Sequence, residues 1–133
     1  MNSKVILIVL GEPNSTFSEI LFKYFSSKNF NKINNKIVLI GNIKLLQKQM
    51  IKLNYNLELY EIKDIKYSLK KKINVINIDY KFKSAFSNIS KHSINYIEAC
   101  FNLSLKLIKN KKAYALINGP ISKKPFLKKK FPG

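Results

Sequence analysis

Two short polar stretches hold the residues best suited to chemistry: Gly11-Glu12-Pro13-Asn14-Ser15 and Asn118-Gly119-Pro120-Ile121-Ser122-Lys123. Together they offer a carboxylate, amides, hydroxyls and an ammonium group. Each directly follows an apolar run, Val5 to Leu10 in the first case and Ala113 to Ile117 in the second. Glycine lets a backbone approach another group closely, and proline stiffens the path. In an open α/β sheet, ligands bind just past the carboxyl ends of the strands. If both runs are strands of one parallel sheet, the two stretches share an edge and form part of a pocket for a phosphorylated or carboxylated metabolite. Gly-Pro is also ordinary turn chemistry, so a plain strand-to-helix turn is the competing reading. Neither stretch matches a Walker motif and there is no G-x-G-x-x-G, so the common nucleotide fingerprints are absent.

The remaining reactive side chains read as structural. His92 is the only histidine; one imidazole cannot make a metal site alone, and its place near a helix start suits a surface or capping role. Cys100 sits in an apolar helical stripe and reads as core rather than nucleophile. A single cysteine excludes an internal disulfide and fits a reducing compartment. Tyrosines and phenylalanines are interleaved with lysines, as in single-strand binders, but they follow helix and strand periods.

The elements that must position the two stretches follow from periodicity. Lys4 to Leu10 predicts a buried strand. Thr16 and Glu19 have capping-box spacing, which predicts a helix from Phe17 with Phe17, Ile20, Leu21, Tyr24 and Phe25 on one face. Residues 26–35 read as a loop. Ile37 to Ile40 predicts a second strand, Asn42 an N-cap, and Ile43, Leu46, Met50 and Leu53 the inner face of a second helix ending at Asn54. Leu57 to Ile62 predicts a third strand, residues 64–72 a surface excursion, and Ile73 to Ile78 a fourth strand at an edge. Tyr80 to Ile89 shows no clean period. A long helix from Ser90 to Lys109 carries two apolar stripes, one through Ile94, Ile97, Phe101, Leu105 and Ile108, the other through Tyr96, Cys100, Leu103 and Leu107. It therefore packs on more than one side. The alternation predicts an α/β fold with a largely parallel sheet and flanking helices, one unit spanning residues 1–133.

The chain has 133 residues, 46% of them hydrophobic, and a formal charge of +18. That is enough for one core. No apolar run nears the ~20 residues of a membrane helix, and there is no secretory signal pattern; a cytoplasmic, non-membrane protein is expected. The charge invites a nucleic-acid reading, and a small basic α/β domain that binds nucleic acid is the alternative from another class. Against it, all 25 basic residues are lysine, whereas arginine is preferred for bidentate contacts to phosphate and guanine. Isoleucine and asparagine are abundant too, a drift that AT-rich coding produces without any partner. The densest clusters are only Lys70-Lys71-Lys72 and Lys128-Lys129-Lys130.

Val9-Leu10-Gly11-Glu12-Pro13-Asn14-Ser15 followed by a helix resembles the Gly-Glu/Asp-Pro loop of the 4-hydroxythreonine-4-phosphate dehydrogenase family. Ala115 to Lys123 resembles that family's apolar strand leading into a Thr/Asn-Gly/Ala-Pro-x-x-Lys turn. Phe131-Pro132-Gly133 resembles the segment ahead of its His-Thr-Glu, in the same order and spacing. Asn14-Ser15-Thr16-Phe17-Ser18 stands where the family usually has Ala-Gly-Ile-Gly-Pro. The resemblance implies a fold related to the isocitrate and isopropylmalate dehydrogenases. It implies NAD-dependent oxidation of 4-phosphooxy-threonine, then decarboxylation to 3-amino-2-oxopropyl phosphate, in pyridoxal 5′-phosphate biosynthesis. It also implies a homodimer and a divalent metal whose ligands lie beyond Gly133, so that residues 1–133 hold no catalytic or metal residue and are inactive alone. Within the chain it marks Lys123 as charge partner for an anionic substrate group, Asn118 and Gly119 as shaping that turn, and Glu12 as orienting a donor or a neighbouring loop. A related phosphosugar-acid or dihydrodiol dehydrogenase fits the same motifs.

Overall fold

A computed structural model describes residues 4–86 and 90–120. In chain order the elements are β1 (Val5–Val9), α1 (Phe17–Phe25), α2 (Lys28–Lys32), β2 (Lys36–Gly41), α3 (Ile43–Lys52), β3 (Leu59–Glu61), β4 (Ile73–Asn77), α4 (Lys91–Lys109) and β5 (Ala115–Asn118). A 3₁₀ turn spans Ile65–Tyr67. The strands form one sheet in the order β3-β4-β2-β1-β5, and every neighbouring pair is parallel. This is the α/β architecture the sequence predicts.

Alternation along the strands sends side chains to two faces. Val5, Leu7 and Val9 of β1, Val38 and Ile40 of β2, and Ile76 of β4 meet Tyr96, Ile97 and Cys100 of α4 on one side. Ile8, Ile37, Leu39, Ile73 and Val75 meet Leu21, Phe22 and Phe25 of α1, Phe30 of α2, and Leu46 and Met50 of α3 on the other. A parallel sheet covered on both faces needs such near-continuous apolar strands. Each fully buried side chain among them contributes roughly 1.5–3 kcal/mol.

The fourth strand is not at an edge, contrary to expectation. β4 lies between β3 and β2, with Asn74 and Val75 wholly inaccessible. Asn74 misleads because it is polar, yet its amide donates to the carbonyls of Ile37 (2.8 Å), Leu69 (2.9 Å) and Lys72 (3.3 Å), and its oxygen accepts from the Leu69 N–H (3.0 Å). A buried asparagine with its hydrogen bonds made is at home in an inner strand. The short β3 takes the edge instead.

Three local expectations also shift. The predicted loop at 26–35 contains α2, a single short helix pinned by Phe30, whose ring lies 4.9 Å from that of Phe25 and 5.9 Å from that of Tyr24. The Thr16–Glu19 capping box does not form. Thr16 makes no cap bond, and the Ser15 hydroxyl accepts from the Phe17 N–H at 3.3 Å. The buried line of α1 is therefore Ser18, Leu21, Phe22 and Phe25, leaving Ile20 exposed. In α4 the deepest line is Ser93, Tyr96, Ile97, Cys100 and Ser104, and Leu105 turns outward.

Other local signals hold. The Asn42 side chain accepts from the Leu45 N–H at 2.9 Å, capping α3. Asn54 ends that helix with φ 60°. The Tyr55 N–H reaches the Met50 carbonyl and the Asn54 N–H that of Ile51, a Schellman closure. No helix among the described residues is long and apolar enough to cross a membrane.

Candidate functional site at the carboxyl edge of β1 and β5

β1 is the strand at which sheet order reverses, with β2 on one side and β5 on the other. Such a reversal opens a crevice at the carboxyl ends of the strands. The β1–β5 ladder runs from Ile6 opposite Ala115 to Val9 opposite Asn118. It continues past the last pair: the Gly119 N–H donates to the Val9 carbonyl at 2.7 Å and the Glu12 N–H to the Pro120 carbonyl at 2.8 Å. The two polar stretches singled out in the sequence therefore meet directly, backbone to backbone.

Glycine makes that approach possible. Gly11 has φ +79°, and a Cβ on it would stand 2.5 Å from the Pro120 carbonyl oxygen. A Cβ on Gly119 would stand 2.5 Å from the Phe17 ring and would also overlap the Leu10 carbonyl. The Gly119 and Pro120 backbone thus occupies the space a side chain on Gly11 would require, and Leu10 and Phe17 occupy the space one on Gly119 would require. Beyond Gly11 the chain turns at once. The Ser15 N–H closes on the Glu12 carbonyl at 3.1 Å, with Pro13 at the second position, where its fixed φ suits a β-turn.

That turn folds Glu12 inward, to 7% exposure. Its carboxylate lies close enough to Tyr80 to push the phenol's pKa up, a smaller effect than the burial of Tyr80 itself. Tyr80 stacks on Tyr96, ring centroids 4.4 Å apart and planes within 12°. The Tyr96 hydroxyl accepts from the Asn42 N–H at 2.8 Å, and burial raises its pKa well above the ordinary phenol value. Behind the loop, the buried Gln49 amide donates to the Pro13 carbonyl and to the Ala85 carbonyl, each at 2.9 Å. Gln49 thus ties the loop after β1 to the segment after β4. Sequence reasoning missed Gln49, Tyr80 and Tyr96. A polar residue at an inner position of α3 was the available signal for Gln49.

Asn118 is exposed, and its amide donates to the Gly119 carbonyl at 3.2 Å. Lys123 lies outside the described residues, as do Ser122 and Phe131-Pro132-Gly133. At the N-terminus of α3 two of the first N–H groups are already taken by side chains. Asn42 takes the Leu45 N–H, and the Asn77 side chain takes that of Ile43 at 2.9 Å.

Among the described residues no three His, Cys, Asp or Glu side chains cluster closely enough to hold a metal ion. The close approach that Gly11 permits is taken up by the Gly119 and Pro120 backbone, and that at Gly119 by the Leu10 carbonyl and the Phe17 ring. His92 is exposed near the start of α4, where Ser90 and Ser93 form the capping box. Cys100 is 1% exposed and its thiol is pushed up to about 12, chiefly by burial. Every described lysine except the half-buried Lys36 is exposed.

No protein-family model matches the chain. It is 35% identical over 130 residues to a protein from a Sulfurihydrogenibium strain named 4-hydroxythreonine-4-phosphate dehydrogenase. The match covers 96% of this chain and 38% of that relative, so the chain spans about two-fifths of the relative's length. The crystal structure of a protein of the same name from Burkholderia phymatum superposes with a TM-score of 0.84 at 17% identity, over 100% of this chain and 42% of that one. One from Klebsiella pneumoniae gives 0.77 at 18%, over 91% and 38%. Along almost all of its length, the chain resembles in sequence and in fold the N-terminal portion of the 4-hydroxythreonine-4-phosphate dehydrogenases.

Proposed function

We propose that the chain forms a substrate-facing rim of an NAD-dependent 4-hydroxythreonine-4-phosphate dehydrogenase. The overall reaction oxidises the 3-hydroxyl of 4-phosphooxy-threonine. The resulting β-keto acid loses carbon dioxide to give 3-amino-2-oxopropyl phosphate, in pyridoxal 5′-phosphate biosynthesis. The observation that carries this reading is the 35% identity spread over 96% of the chain. The meeting of the Glu12 loop with the Gly119 turn at a shared sheet edge supports it.

In this reading Asn118 and Gly119 set the path of the turn, and Lys123 supplies positive charge to the substrate's phosphate or carboxylate. Glu12, buried at the back of the rim, orients the loop that faces the substrate. In the same reading NAD and a divalent metal would be held by residues other than those described, at a site completed by a second subunit. The chain's own part is to bind and orient, and by itself it forms no NADH from the phosphorylated substrate.

The test joins this chain to the remaining three-fifths of the Sulfurihydrogenibium relative, in place of the stretch it matches. NADH formation from 4-phosphooxy-threonine is then followed. The joined polypeptide is expected to turn over, and Lys123→Met to raise KM roughly ten- to hundredfold, the scale of a lost charge-assisted hydrogen bond. Unchanged KM and kcat in that variant would remove Lys123 from the site. A folded but inactive joined polypeptide would overturn the reading as a whole.

A further inference from the structure

Beneath the loop after β1 lies a cavity of about 10 Å³, lined among others by Glu12, Ser18, Leu45, Gln49 and Tyr96. That is about the space one water molecule needs. Ser18, in the first turn of α1, is 6% exposed, and its hydroxyl has no hydrogen-bond partner among the described residues. Other helix-associated serines here are satisfied by backbone. Ser104 donates to the Cys100 carbonyl at 2.7 Å and Ser26 to that of Phe22 at 2.8 Å. Ser18 sits too early in its helix for that solution, because the residue four before it, Asn14, is in the turn. Both Gln49 amide hydrogens go to the Pro13 and Ala85 carbonyls.

We propose that this cavity is a built site for one ordered water, joining the Ser18 hydroxyl to the Glu12 carboxylate beside the Gln49 side chain. Size, the Glu12, Ser18 and Gln49 side chains set in an otherwise mainly apolar wall, and an unsatisfied buried hydroxyl converge on the same point, and buried water characteristically serves two to four such groups. The water and Gln49 together hold the Glu12 loop from behind. Ser18 and Gln49 are then positioning residues for the rim. This inference concerns the chain's own loop and stands whether or not the proposed reaction is correct.

The test uses the sign of a stability change. If a water bridges Ser18, Ser18→Ala strips that water of a partner and lowers the melting temperature, by about 3 °C for a loss on the scale of one hydrogen bond. If the cavity is dry, the same variant removes a stranded hydroxyl and improves helix propensity, so the melting temperature rises. A rise overturns the proposal. A high-resolution crystal structure of the unaltered chain gives an independent check that does not depend on the variant folding. One density peak in the cavity, within hydrogen-bond distance of Ser18 Oγ and a Glu12 carboxylate oxygen, is expected. A featureless cavity, or a peak that gains anomalous signal when rubidium replaces the medium's monovalent cations, contradicts it.

Discussion

Gly11 and Gly119 fix the geometry on which the rim depends, and each does so by lacking a side chain. Adding a methyl group at Gly119 drives it into the Phe17 ring and the Leu10 carbonyl. Gly119→Ala is expected to cost about 2–3 kcal/mol, the upper part of the range for forced overpacking, read as a fall in urea midpoint. A variant within about 0.5 kcal/mol of the parent, the scatter of neutral surface changes, would show that the turns do not meet as described. Cys100 makes a second residue-level prediction. Burial pushes its thiol from the ordinary 9.0 up to about 12. Between those values the folded state keeps a proton that the unfolded state has lost, so stability is full below pH 9 and falls as pH rises toward 12. The slope has a ceiling of about 1.4 kcal/mol per pH unit. Tyr96, raised above 10.0, acts in the same direction at higher pH. Urea midpoints from pH 8 to 11 should fall less steeply for Cys100→Ala than for the parent. Equal slopes would contradict the burial argument.

At the scale of elements, helix ends were more legible where the signal was asparagine than where it was threonine. Asn42 and Asn54 behave as their types suggest. Thr16 has cap-like spacing, but the Glu12–Ser15 turn brings the Ser15 hydroxyl to the Phe17 N–H first. Tertiary geometry decided between two adjacent hydroxyls, which no local pattern records. The edge assignment of β4 failed for a related reason. Asn74 interrupts the apolar run of that strand, and only the fold shows the three carbonyls its amide serves. Lys111, exposed and one residue past the α4 cap, holds φ 59° in a Schellman closure of the kind that ends α3. A left-handed lysine costs roughly 1 kcal/mol that glycine does not. Lys111→Gly should therefore stabilise the chain by about 0.5–1 kcal/mol, measured as a higher urea midpoint. A lower midpoint would mean that the lysine stem makes a contact outweighing its backbone strain.

For the whole molecule, the strand order could not be read from the sequence, yet the consequence that mattered could. Val5 to Leu10 and Ala113 to Ile117 were legible as strands because both are short apolar runs ended by glycine and proline, but only the first is buried: β5 lies at the sheet edge with Tyr114 and Ile117 exposed. That they are neighbours, with register Val9 opposite Asn118, follows from α4 crossing the face opposite α1 and α3. Gln49, Tyr80 and Tyr96 stayed hidden because their roles exist only once three loops converge. The central claim is that substrate binds at the rim where the Glu12 loop and the Gly119 turn meet. The direct measurement is a titration of the isotope-labelled chain with 4-phosphooxy-threonine, followed by amide chemical shifts. The account predicts that the Gly11, Glu12 and Gly119 amides move together along one binding curve. Shifts confined to exposed lysine segments such as Lys48 to Lys52, with those three amides unmoved at saturation, would contradict it.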